Sequence, residues 1–180
     1  MMDQFIFASG GVNDNAEDLR SVERYANASN EWAEMPQLNV ARASHGSCVL
    51  ATAVYAVCGY NSQHGFLNLV EKLETRDLEA GWLLIQIPPT SLKPREWPIV
   101  SALNASEILI MGGYDGEYLG DALTLDTHDQ SVRMVIADAP LRFSQSKTAP
   151  VVQVRSGVVF TQACVRRQGQ KLVSFSNNSI

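Results

Sequence analysis

Three apolar, β-rich runs in this chain end on glycine and then restart the same series of features. FIFASGG reaches Gly10 and Gly11, VYAVCGY reaches Gly59, and ILIMGGY reaches Gly112 and Gly113. Gly10 and Gly59 lie 49 positions apart, Gly59 and Gly112 53. Self-similarity at such a period restricts the chain to stacked copies of one supersecondary unit, because a lone unit cannot bury its own apolar faces. A polar loop follows each glycine, and then a short strand: SVERYA (21–26), LVEKLE (69–74) and DALTLD (121–126). Trp32 (NEWAEM) and Trp82 (GWLLIQI) come next, and QSVRMVI is expected to put Met134 in the tryptophan's place. An arginine then appears, Arg42 in NVARASHGS, Arg95 in KPREWP and Arg142 in PLRFSQS. After each arginine a hairpin is predicted, with tips near 51–53, 104–107 and 155–157.

The whole chain divides into units of about 1–38, 39–90, 91–138 and 139–180. The last lacks the double glycine, and KLVSFSN (171–177) is expected to match the third strand of the earlier units. Each unit offers four short runs rich in Val, Ile, Leu, Tyr and Trp separated by turn residues, the pattern of an antiparallel meander. VYAVC and ILIM lack polar alternation, so both of their faces should be covered. Sheets stacked face to face around an axis form a propeller, so the expected class is all-β. The glycines let the backbone turn where a Cβ would not fit. Trp32 and Trp82 are expected to fill the wedges between sheets.

These features together resemble kelch repeats over nearly the whole chain. The markers are the double glycine after an apolar strand, V-E-x-Y/L about a dozen residues on, the tryptophan, Met35-Pro36, and R-x-x-H-G at 42–46. SVERY and GGYDG (112–116) match such units closely, whereas Tyr60 stands after Gly59 where a second glycine is usual. The resemblance implies an incomplete kelch-type β-propeller of about three to four four-stranded antiparallel blades. About three and a half units are counted, against the ~4–8 blades of closed propellers. Three readings follow. The chain is a fragment of a longer kelch protein, or a partial propeller completed by partner chains or self-association, or a small distorted propeller standing alone.

Function classes narrow from composition. With 46% hydrophobic and 18% charged residues the chain suits a packed core rather than disorder. A net charge of −5 gives no reason to expect nucleic acid or an anionic membrane as partner. No apolar run approaches the ~18 residues of a membrane helix. The acidic start MMDQFIFASGG does not read as a secretory leader, so a cytoplasmic, intracellular location is expected and the sequons at Asn27, Asn104 and Asn177 are chance matches. Cys48, Cys58 and Cys164 form no C-x-x-C pair, and Cys48 and Cys58 sit in apolar runs as small hydrophobes. No nucleophile elbow, H-E-x-x-H or phosphate loop is present, so no catalytic residue, metal site or cofactor is expected. His45 reads as a structural histidine.

The expected function is therefore a non-enzymatic protein-interaction module resembling the kelch domain of adaptor and scaffold proteins. The alternatives are a structural subunit of a larger assembly, or a kelch-type enzyme such as a copper oxidase (with Cys58, Tyr60 and His64 near in sequence) or a sugar isomerase. Two surfaces are candidates. Arg42, Arg95 and Arg142 would form an arc at one end of the propeller channel, suited to a carboxylate-bearing peptide. Equally, each could pair with a local carboxylate and brace its unit. The loops after the glycines present Asn61, His64, Tyr114 and Tyr118 as reachable side chains for a protein partner.

Overall fold

Runs of four or five β-branched and aromatic residues, broken by Asn, Asp and Gly, favour short strands joined by tight turns. The computed structural model of the chain is accordingly all-β. It describes residues 5–88, 90–136, 152–154 and 158–160. The first sheet is β1 (Phe5–Ser9), β2 (Val22–Ala26) and β3 (Glu31–Met35), antiparallel and in chain order. In the second, β4 (Gly46–Leu50) and β5 (Ala53–Val57) precede a small hairpin of β6 (Tyr60–Asn61) and β7 (Gly65–Phe66). The chain then completes the sheet with β8 (Val70–Glu74) and β9 (Trp82–Ile85), in the order β4-β5-β8-β9. The third repeats that meander with β10 (Ile99–Ala102), β11 (Glu107–Met111), β12 (Ala122–Asp126) and β13 (Val132–Ile136). A further antiparallel pair joins β14 (Val152–Val154) to β15 (Val158–Phe160). The hairpins with tips at 51–53 and 104–107 and the third strands of the first three units thus fall where the sequence put them, while the tip at 155–157 and KLVSFSN lie outside the described residues.

Strand alternation explains how the sheets stack. Along β5, Val54 and Ala56 join Leu73 and Trp82 in a core shared with Val22, Met35 and Leu38 of the first sheet and its exit. The intervening Ala53, Tyr55 and Val57 point the other way, into a core shared with Ile108, Ile110, Leu123 and Leu125 of the third sheet. All five β5 residues are buried, as VYAVC without polar alternation requires. In β11 only one face is fully covered: Ile108 and Ile110 are buried while Leu109 and Met111 are half-buried. The first strands of the second and third sheets, β4 and β10, converge so closely that a Cβ on Gly46 would stand 2.1 Å from Val100 Cγ2.

Two sequence registers need correction. Gly59 is equivalent to Gly11 and Gly113, not to Gly10 and Gly112: these three share φ values of 106°, 97° and 109°. The position before it is held by Gly10, Cys58 and Gly112, all left-handed at φ 58°, 60° and 56°. Their amides make the same bond, donating to the carbonyls of Ser21, Leu69 and Asp121. Cys58 therefore occupies the first glycine's place, and the glycine pair had been aligned one residue out. Likewise Met134 does not replace the tryptophan. Trp82 pairs across the sheet with Leu73, Trp32 with Tyr25, and Val132 with Leu125, which makes Val132 the equivalent. The loop between glycine and strand is two residues shorter in the third unit, 9 positions from Gly113 to Ala122 against 11 from Gly11 to Val22 and from Gly59 to Val70, and Met134 is left 58% exposed. Of the tryptophans, Trp82 fills the wedge, 4% exposed with its indole N–H donating to the Pro36 carbonyl. Trp32 is half-buried and stacks on Tyr25 instead, ring centroids 5.3 Å apart.

Candidate functional site

The meander gives the stack two ends: the hairpin tips, and the end where glycines, polar loops and arginines gather. At the glycine end Arg42 and Arg95 face inward. Arg42 is wholly buried; Nη1 donates to the carbonyls of Cys58 (2.9 Å) and Leu69 (3.0 Å), and Nη2 pairs with Glu71 Oε1. Glu71 is buried too, and it accepts further bonds from the amides of Asn39 (2.7 Å) and Val40 (3.2 Å) and from Asn39 Nδ2 (2.8 Å). Burial pushes the Arg42 guanidinium below its ordinary value, and Glu71 pulls it back. Arg95 repeats the arrangement. Nη1 reaches the Gly112 carbonyl (2.9 Å), and the fork holds Asp121 bidentately at 2.6 and 2.9 Å.

The same arginines tie neighbouring sheets through their backbones. The Arg42 amide donates to the Leu19 carbonyl and its carbonyl accepts from Gly11; Arg95 does the same with Leu67 and Gly59. A Cβ on Gly59 would stand 2.7 Å from the Ala43 carbonyl oxygen, which is why glycine is needed there. The expected carboxylate-binding arc therefore has neither Arg42 nor Arg95 available, since internal carboxylates and carbonyls occupy both forks. Arg142 lies outside the described residues.

Asn61, expected to be reachable, is 5% exposed. Its Nδ2 donates to the Ala41 carbonyl and its Oδ1 accepts from the amides of Gln63 and His64, closing the β6–β7 turn. His64 stands exposed on that turn. Tyr114 is half-buried and Tyr118 is 54% exposed. The structure brings the two tyrosines together, 5.3 Å between centroids, and extends them into a chain of five rings. Trp97 lies 6.1 Å from Tyr114, Phe66 5.9 Å from Tyr114, and Tyr60 5.6 Å from Phe66, mostly edge to face. Reciprocal backbone bonds hold this cluster: Tyr60 with Ala43, and Tyr114 with Glu96. Phe66 and Trp97 escaped the sequence reading, and Tyr60 entered it only beside Cys58 and His64, because Trp97 lies in a stretch separate from the Tyr60–Phe66 hairpin. Only the pairing of arginine-following segments with glycine-following loops puts them side by side.

His45 is structural. It is half-buried, Nε2 stands 2.9 Å from Ser9 Oγ, and burial, aided by the Arg42 charge, pushes its pKa down to about 3. Cys58 lies in the core between the second and third sheets, where burial pushes its thiol up to about 12, so it shares no site with the exposed His64. Among the described residues no group of His, Cys, Asp and Glu side chains is placed to hold a metal. At the opposite end, a cleft of about 150 Å³ opens between the hairpin tips, lined by Tyr55, Lys72, Glu74, Thr127 and His128 among others. It is smaller than the ~300–1,000 Å³ of usual ligand pockets. Compared with known proteins, the chain matches no family model and no curated protein.

Proposed function

We propose that the chain is a protein-interaction module, a segment of a kelch-type β-propeller that presents its glycine-end loops to a partner protein. The observation that carries this reading is the five-ring cluster, assembled across loops of adjacent sheets on a hydrogen-bonded frame, with Tyr60 36% and Tyr118 54% exposed. Exposed aromatic rings held rigid by a scaffold are the usual anchors of protein interfaces, because they bury large areas at small entropic cost. Stacked four-stranded meanders with left-handed glycines at strand exits support the propeller assignment. Affinity capture with the wild type and a Tyr60→Ala/Tyr118→Ala variant tests it. A discrete set of proteins recovered by the wild type and lost by the variant is the expected result; equal recovery would refute the role of this face.

A second reading, a structural subunit of a larger assembly, is favoured by one observation. Strand β13 exposes Met134, Val135 and Ile136 at 58%, 56% and 44%. An apolar outer strand invites a further sheet or chain against it. Sedimentation of the chain over a concentration series tests this, with self-association reduced by Met134→Lys as the expected result and a concentration-independent monomer as the refuting one.

A further inference from the structure

Resting on the reading that the glycine-end loops form the partner surface, we infer that the segment they recognise is basic and arginine-bearing, docking its guanidinium groups on Tyr60 and Tyr118. The sequence alone offered the opposite charge as one of two alternatives, an arginine arc open to a carboxylate-bearing peptide. With Arg42 closed on Glu71 and Arg95 on Asp121, both forks are compensated and buried. What the loops expose is predominantly acidic. The three glycine-following loops, residues 12–20, 60–68 and 114–119, contain Asp14, Glu17, Asp18, Asp115 and Glu117 against the single cation Arg20, whose Nε donates to the Leu38 carbonyl.

Placement supports the inference beyond the count. Asp115 and Glu117 sit between Tyr114 and Tyr118 in one tight loop, closed by the Asp115 amide on the Glu117 carbonyl. Asp18 of the first loop accepts from the Ser62 amide of the second at 2.7 Å, so the loops are one continuous surface. Ring contacts then carry that surface from Phe66 to Tyr114 in the third loop. A guanidinium laid on a tyrosine face gains cation–π attraction, and its planar fork can meet a neighbouring carboxylate bidentately. Lysine offers only a point charge and stacks less well. The chain already uses this chemistry internally, with Arg24 Cζ 4.4 Å from the centroid of the Phe5 ring.

The test is titration of the chain with a short arginine–glycine peptide, followed by calorimetry and tryptophan fluorescence, beside lysine–glycine and glutamate–glycine peptides of equal length. The expected order of affinity is arginine above lysine, with the glutamate peptide not binding. Tyr118→Ala should weaken arginine-peptide binding about tenfold, and Tyr118→Phe, which keeps the ring face, should bind within about twofold of wild type. Asp115→Asn/Glu117→Gln should weaken it several-fold and flatten its salt dependence. Unchanged melting of the Tyr118 variants shows that the surface, not the fold, was altered. No arginine-peptide binding, equal binding of the glutamate peptide, or indifference to Tyr118→Ala overturns the inference. If the arginine peptide fails while captured proteins are still lost by the Tyr60→Ala/Tyr118→Ala variant, the charge assignment falls and the loop face stands. If both fail, both fall.

Discussion

The junction between the first and second sheets and that between the second and third are built on one plan but differ in tightness. At the first, the left-handed exit residue is Gly10, and a Cβ there would stand 2.4 Å from the Arg42 carbonyl oxygen. At the second, the equivalent residue is Cys58, so that junction accommodates a side chain. The ion pairs follow suit. Arg42–Glu71 has no solvent exposure on either side chain, whereas Asp121 of the Arg95 pair is 11% exposed. Even the source of the carboxylate differs. Glu71 follows Val70 in β8, whereas Asp121 precedes Ala122, the residue in the matching register position, and Leu123 takes Glu71's place in the core. The difference shows that the arginine fork is the fixed part of the plan, and that its acid can come from either of two positions on the same strand face.

The largest expected effect follows from removing the acids. Glu71→Ala leaves Arg42 buried and uncompensated, and should cost about 3–5 kcal/mol. Asp121→Ala leaves Arg95 beside an opening that water can enter, and should cost about 1–3 kcal/mol. Urea unfolding of the two variants checks the order. Equal losses would mean that the two junctions are energetically alike despite their geometry.

Next in size is the exit residue. Gly10→Ala combines a left-handed alanine, about 1–2 kcal/mol, with a Cβ inside contact distance of a backbone oxygen that cannot easily move. Cys58→Ala keeps the Cβ already present and loses only buried sulfur, about 1 kcal/mol. Gly10→Ala should therefore be clearly the worse of the two in thermal melting. A milder Gly10→Ala would show that the first junction yields.

How much of this was legible beforehand divides along physical lines. Strands such as VYAVC and hairpins such as SCVL-ATA-VYAVC depend on local composition, and their existence and order could be read directly. Registers depend on turn geometry. Cys58 was unreadable as a glycine substitute because its left-handed φ is imposed by the Leu69 and Arg95 backbone bonds around it, not by its own preference. Arg42 and Arg95 lie at one end, but a sequence does not show which way a guanidinium points. Glu71 could have been found from the V-E step of LVEKLE, while Asp121 follows no such step. The aromatic cluster needed three-dimensional pairing, since Tyr60, Trp97 and Tyr118 are far apart in the chain.

The smallest effect separates the junctions by pH. His45 sits in the first junction, three residues after Arg42, and the corresponding residue after Arg95 is Pro98, which does not titrate. The imidazole lies against Ser9, the Gly10 and Gly59 backbones and the Arg42 guanidinium, whose positive charge opposes protonation. Its pKa falls from 6.5 in the unfolded chain to about 3 in the folded one. Above pH 6.5 both states are neutral and the group has no effect. Below it the unfolded state takes up the proton first, so stability declines as pH falls, at a slope approaching ~1.4 kcal/mol per pH unit, until the folded pKa is reached. Between pH 7 and 5 the wild type should lose about 2 kcal/mol more than His45→Asn, whose side chain does not titrate. Urea unfolding at the two pH values gives the difference directly. Parallel declines in the two proteins would mean that His45 is not held neutral, and that the first junction is more open to water than its geometry indicates.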